Sequence, residues 1–191
     1  MRLGLDPANR YVLFFGLIRD YKGLDLLLDA WAQLRRAGRT EGRRLIVAGE
    51  FYTAREPYLN RIADNGLQDE VLLHDRFIPD DDVKYYFSAA DFVVQPYKTA
   101  TQSGVTQIAY QFCVPMVVTA VGGLPEIVPD GRVGYVGPPT AEGVAAAMDR
   151  MYEGDALKRF RENCVEERRR FSWEEMCSRI TELYGLVASG K

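Results

Sequence analysis

Cationic side chains beside small, hydroxyl-bearing residues are common equipment for holding phosphate, and the chain carries such groups in two loops. The first, Gly16-Leu17-Ile18-Arg19-Asp20-Tyr21-Lys22-Gly23, places Arg19 and Lys22 just ahead of an amphipathic stretch. A guanidinium offers phosphate oxygens a planar fork and an ammonium offers a point charge. The positive end of a following helix would add to both, so the loop can hold a diphosphate. The alternative is a solvated loop with incidental charges. The second, Thr99-Ala100-Thr101-Gln102-Ser103-Gly104-Val105, reads as the opening of another helix. Its free backbone N–H groups and the Ser103 hydroxyl make an anion site, and Gly104 permits close backbone approach. A plain helix cap is the alternative. A third segment, Thr119-Ala120-Val121-Gly122-Gly123-Leu124-Pro125-Glu126, pairs two glycines with a carboxylate. Glu126 either serves a bound sugar or caps the short helix that follows. Neither a GxGxxG fingerprint nor a GxxxxGK[ST] loop is present.

These loops need a scaffold, and the hydrophobic pattern supplies one. Short apolar runs at Tyr11–Phe15, Leu45–Ala48, Val71–Leu73, Phe92–Val94 and Met116–Thr119 read as buried strands, with a sixth over Val133–Val136. Leu24, Leu27, Leu28, Trp31 and Leu34 recur at helical spacing and predict a helix from about Gly23 to Ala37. Further helices are expected around Leu59–Ala63, over Val83–Ala90, entered through Asp80-Asp81-Asp82, and over Val105–Phe112. Three more follow, Ala141–Tyr152, Ala156–Arg170 and Trp173–Leu186, with Ser172 and Glu175 as a capping box for the last. Alternating strands and helices imply an α/β fold: a Rossmann-like three-layer α/β/α sandwich, mostly parallel, with extra helices at the C-terminus. In such sheets ligands sit beyond the carboxyl ends of the strands. The chain is expected to be one domain over 1–191, with 1–9 as linker and 172–191 as a C-terminal helix.

Composition narrows the partners. The 191 residues are 47% hydrophobic and 27% charged, with a net charge of −3. Nothing in that balance suggests an electrostatic nucleic-acid or membrane-surface binder. Arg168-Arg169-Arg170 follow Glu166-Glu167 and read as a solvated helix face. Three scattered cysteines and a single histidine, His74, do not suit a disulfide framework or a Cys/His zinc site. His74 reads as a structural strand residue, and Asp80-Asp81-Asp82 as a charged helix N-terminus rather than a metal site. No stretch of about 18 apolar residues is present, so no transmembrane segment is expected.

Taken together, Phe14-Phe15-Gly16 through Lys22-Gly23, Tyr97 to Pro115, and Val121-Gly122-Gly123-Leu124-Pro125-Glu126 resemble the C-terminal domain of GT-B glycosyltransferases of group 1 (family 4). Leu45 to Gly49, Ala90-Asp91 and Phe171-Ser172-Trp173 fall in the family's order, so the resemblance spans nearly the whole chain. It implies one half of a GT-B fold that binds a nucleotide-diphospho sugar, with the acceptor-binding N-terminal domain absent from this chain. It also implies retaining hexosyl transfer to a glycan, lipid or small-molecule acceptor, without a metal or other cofactor. Cations and helix N-termini would then stabilise the leaving diphosphate.

On that resemblance, Arg19 and Lys22 take the catalytic role. Gly16, Gly49, Phe77, Ile78, Gln102, Ser103, Gly104, Val105, Gln107 and Glu126 hold the donor, with the base against Phe77 and Ile78. Two departures stand out. The positions where the family often has two glutamates are Ala100 and Ile108, leaving Gln102 and Gln107 as polar substitutes. The arginine usual after the first-loop glycine is Leu17, and Arg19 takes its part. The chain alone is expected to bind donor without transferring sugar, in a cytoplasmic protein or one peripheral to a membrane through the other domain. The alternatives are a non-catalytic nucleotide-sugar-binding module and a GT-B sugar-nucleotide epimerase. The single histidine counts against the epimerase, whose chemistry needs acid and base groups near the sugar.

Overall fold

The computed structural model describes residues 3–188. Met1 and Arg2 of the expected linker, and the last three positions of the expected C-terminal helix, lie outside the described residues. Six strands alternate with helices: β1 (Arg10–Phe15), α1 (Leu24–Arg36), β2 (Arg43–Ala48), α2 (Glu56–Asp64), β3 (Val71–His74), α3 (Asp80–Ala89), β4 (Phe92–Gln95), α4 (Gly104–Gln111), β5 (Met116–Thr119), α5 (Leu124–Ile127) and β6 (Gly134–Gly137). Then come α6 (Ala141–Arg150), α7 (Ala156–Glu167) and α8 (Trp173–Ala188). All six strands are parallel, in the order β3-β2-β1-β4-β5-β6.

Strand alternation divides the core into two layers. On one face Val12, Phe14, Leu45, Val47, Phe92 and Val94 pack under α1, α2 and α6. On the other, Leu13, Ile46, Ala48, Val93, Met116 and Val118 pack under α3, α4 and α5. Helix α1 forms because Leu24, Leu27, Leu28, Trp31 and Leu34 share one buried stripe. Its Trp31 indole also donates to Glu70 Oε2 at 2.7 Å, which pins the helix to the start of β3. Burying strands on both faces explains why they read as unbroken apolar runs rather than alternating ones.

Several boundaries differ from the sequence pattern. Asp20–Lys22 is a turn of 3-10 helix inside the first loop. The helix expected to run to Arg170 is α-helical only to Glu167 and then tightens into 3-10 geometry over Arg168–Phe171. The cause is Glu167, 7% exposed, which accepts hydrogen bonds from Arg132 and, at 2.8 Å, from Arg170. Arg170 stays exposed, as expected of a solvated face, while also bonding Glu167, and Arg168 reaches the Cys113 sulfur at 3.7 Å. The Ser172 hydroxyl accepts from the Glu175 N–H at 3.1 Å, but the Glu175 carboxylate turns to Arg179 at 2.8 Å, so half of the capping box forms. Among the described residues no helix is long and apolar enough to cross a membrane.

Candidate functional site

Strand order reverses between β1 and β4, which opens a crevice at their carboxyl ends where connections leave to opposite faces of the sheet. The loops after β1 and β4 form its walls and are tied together. Gly23 adopts φ +69°, and a Cβ there would lie 1.9 Å from the Pro96 carbonyl oxygen. Only glycine lets the first loop rest directly on the exit from β4. The Lys98 ammonium bridges Asp20 at 2.8 Å and Asp25 at 2.9 Å, and the Lys98 N–H donates to the Tyr21 carbonyl at 2.8 Å.

Between these loops lies a cavity of about 310 Å³, lined by Tyr21, Lys22, Tyr97, Gln102, Ser103, Gly104, Val105 and Ile108. Lys22 is its cation. Burial lowers the pKa of the Lys22 ammonium, and the neighbouring Arg19 charge lowers it further. The ammonium also lies 5.8 Å from the centre of the Tyr97 ring. Ser103 caps α4, accepting from the Val105 N–H at 3.2 Å, and its hydroxyl shares a 3.1 Å hydrogen bond with the Tyr97 phenol. Burial pushes that phenol up to about 12, although the Ser103 bond favours ionisation, so it stays protonated at neutral pH. Gly104 is exposed at the first position of α4, and a Cβ there would meet nothing within 4 Å. A cation and a helix N-terminus thus share one cavity, the combination that suits an anion.

A second cavity, of about 180 Å³, is lined by Phe15, Gly16, Leu17, Gly49, Glu50, Phe77 and Ile78. Its walls are mostly apolar, as a flat heterocycle requires. Gly49, at φ +149°, lets the second loop close on the first, since a Cβ there would lie 2.1 Å from the Gly16 carbonyl oxygen. Gly16 links the two cavities: it lines the apolar one, and the Lys22 ammonium lies 3.0 Å from where its Cβ would stand.

The structure gathers Lys22, Gln102, Ser103, Gly104 and Val105 in one cavity, and Gly16, Gly49, Phe77 and Ile78 in the other. Three expected site residues stand apart. The Arg19 guanidinium is exposed and lies 5.3 Å from the centre of the Tyr52 ring, outside both cavities, because a cation–π contact is available on the rim. Gln107 faces away from the phosphate cavity. It lines a separate hollow of about 450 Å³ with Arg170, Phe171, Ser172, Trp173 and Met176, since helical geometry turns it from the face that Ile108 presents. Glu126 lies within α5 rather than ahead of a helix; it is exposed and lines neither cavity, and its backbone carbonyl accepts from Arg170 at 3.4 Å.

The remaining sequence landmarks are structural. His74 ends β3, with Nδ1 2.8 Å from the Tyr86 hydroxyl, and burial together with Arg76 lowers its pKa. Asp80, Asp81 and Asp82 form the first turn of α3. Among the described residues no group of three or more His, Cys, Asp or Glu side chains is placed to hold a metal ion. Sequence reasoning passed over Tyr21, Tyr97 and Glu50 as lining residues. Their positions at strand ends and in the first loop were the available signal.

Residues 9–154 match the sequence model of a family described as glycosyl transferases group 1. A D-inositol 3-phosphate glycosyltransferase of Corynebacterium aurimucosum is 27% identical over 191 residues, a match that covers 96% of this chain and 44% of that protein. The chain therefore spans less than half the length of this curated relative. Among solved structures, HepE of Anabaena in complex with UDP and glucose superposes with a TM-score of 0.78 at 21% identity, over 93% of this chain and 48% of that one. The C-terminal domain of a glycosyl transferase group 1 family protein (LpcC) from Francisella tularensis gives a TM-score of 0.73 at 20% identity, covering 84% and 85%.

Proposed function

We propose, from the premise that this chain belongs to the group 1 glycosyltransferases, that it is the half that holds a nucleotide-diphospho sugar. The observation that carries the reading is the shared cavity of Lys22 and the N-terminal turn of α4, at the point where strand order reverses. The base enters the apolar cavity against Phe77 and Ile78, and the diphosphate crosses Gly16 to reach Lys22 and Gly104. The solved relative bound to UDP and glucose supports a nucleotide partner. Lys22 and the Gly104 N–H at the start of α4 then face the oxygens on which negative charge grows as the sugar leaves. In this reading transfer is of a hexosyl group, retains configuration and uses no metal, as in the family resemblance, and the acceptor is a glycan, lipid or small molecule.

The acceptor site belongs to a second domain. Two facts support that. The chain spans 44% of the relative's length. In addition, α8 has no buried residue, and its Trp173, Met176, Ile180, Leu183 and Val187 repeat at alternating spacings of three and four, giving an exposed apolar stripe. In this reading the protein is cytoplasmic, with any contact at a membrane made through that second domain. Holding an acceptor against the donor contributes on the order of 7–11 kcal/mol to such reactions. This chain alone is accordingly a binder and not a catalyst.

The test is thermal stability with ligand. A nucleoside diphosphate at 100 times its Kd is expected to add about 2.7 kcal/mol, and its nucleoside at the same concentration much less. Equal shifts with the two ligands contradict the phosphate site.

A further inference from the structure

Tyr21 lines the cavity of Lys22 and is 40% exposed, while Tyr97 in the same wall is 3% exposed. Phosphate is held by donors and positive charge, so an aromatic ring left open to water in this wall does not serve it. Yet the structure fixes that ring. It meets the Tyr97 ring edge to face, with centroids 6.0 Å apart and planes at 83°. The Tyr21 carbonyl accepts from the Lys98 N–H at 2.8 Å, and its turn of 3-10 helix is anchored by the Asp20–Lys98 ion pair, also 2.8 Å. The ring therefore stands on the cavity wall before any ligand arrives, and little ordering is left to be done on binding.

Its place along the crevice decides which part of a ligand it meets. The apolar cavity is built from the loops after β1, β2 and β3. Tyr21 is tied to the exit from β4, on the other side of Gly16. A nucleotide-diphospho sugar carries its base and its sugar at opposite ends of the diphosphate. With the base in the apolar cavity and the phosphates at Lys22, the sugar comes to the wall formed by Tyr21 and Gln102. The cavity of about 310 Å³ has the size of a whole small-molecule site, so it takes more than two phosphates.

We propose that Tyr21 is the platform for the donor hexose, whose C–H face lies on the exposed phenol ring. This inference rests on the nucleotide-sugar reading above. A pyranose gathers weakly positive C–H groups on one face, and the face of an aromatic ring is negative, so the two attract much as an edge-to-face aromatic pair does.

The test separates the sugar from the rest of the ligand. Wild type is titrated calorimetrically with UDP, GDP, ADP and dTDP. The diphosphate that binds tightest is then compared with its glucose and mannose conjugates in wild type, Tyr21→Ala, Tyr21→Leu and Tyr21→Phe. Tyr21→Ala and Tyr21→Leu should weaken the better conjugate by about three- to tenfold while changing diphosphate affinity by less than about twofold. Tyr21→Phe keeps the ring and should hold the conjugate within about twofold of wild type. All three should melt close to wild type, since the side chain is exposed. Tyr21→Leu keeps apolar bulk on the Tyr97 ring and carries the comparison if Tyr21→Ala melts early. Conjugate affinity that survives in a folded Tyr21→Ala or Tyr21→Leu overturns the inference while leaving the nucleotide reading intact. Equal losses of conjugate and diphosphate overturn it too, since they place the effect on the phosphates or the loop. A loss in Tyr21→Phe as large as in Tyr21→Leu assigns the contact to the hydroxyl and overturns the stacking. A wild type that binds a diphosphate but neither conjugate has the same result. A wild type that binds none of the four diphosphates removes the nucleotide reading and this inference with it.

Discussion

At the scale of single residues, the phosphate cavity depends on Lys22, whose ammonium is held partly out of water beside a second cation. Both effects favour the neutral amine, so unliganded Lys22 loses its proton at a lower pH than an ordinary lysine. A bound phosphate acts in the opposite direction and favours the ammonium. Above the free-state pKa, binding must then take up a proton, and affinity for a nucleoside diphosphate is expected to fall as pH rises through that range. Titrations across the alkaline range should show this slope in wild type and lose it in Lys22→Ala. That substitution should weaken diphosphate binding by about ten- to a hundredfold, as loss of a charged hydrogen bond does, while changing stability by less than about 1 kcal/mol. Arg19→Ala is expected to alter affinity by less than about threefold, because its guanidinium rests on Tyr52 outside the cavity and exposed side chains contribute little. A large loss in Arg19→Ala with a small one in Lys22→Ala would reverse these roles.

At the scale of elements, the first turn of α4 is the second half of the anion site. Gly104 stands at its first helical position with open space where a Cβ would be. Gly104→Val should therefore fold normally and gain up to about 1 kcal/mol from the smaller backbone entropy of the unfolded chain. Its branched side chain would stand in the cavity, and diphosphate affinity should fall by at least about tenfold. Unchanged binding in the folded variant would move the anion elsewhere. Much of this layer was legible in the sequence. Apolar runs on strands buried from both faces, and the leucine stripe of α1, mark elements whose type depends on local pattern. Glu167 shows where such reading stops: besides the nearby Arg170 it bonds Arg132, far back along the chain, at the end of α7. Arg19 and Gln107 lie outside the two cavities for a related reason. Which way a side chain turns on a rim or around a helix depends on neighbours such as Tyr52 and Trp173, which lie far along the chain.

At the scale of the whole molecule, the parallel sheet brings together at one edge loops that are far apart along the chain. Phe77 follows β3, Lys22 follows β1 and Gly104 follows β4, and the order β3-β2-β1-β4 lines them up across the reversal point. That arrangement gives the central claim a definite geometry: base over the β1–β3 side, phosphates over the β1–β4 side, and Gly16 between them. A crystal structure of the chain with UDP tests it most directly. The expected result is uracil against Phe77 and Ile78, with the diphosphate at hydrogen-bond distance from the Lys22 ammonium and the Gly104 N–H. UDP bound away from the β1–β4 crevice, or lying in it with its phosphates remote from both Lys22 and Gly104, would contradict the assignment.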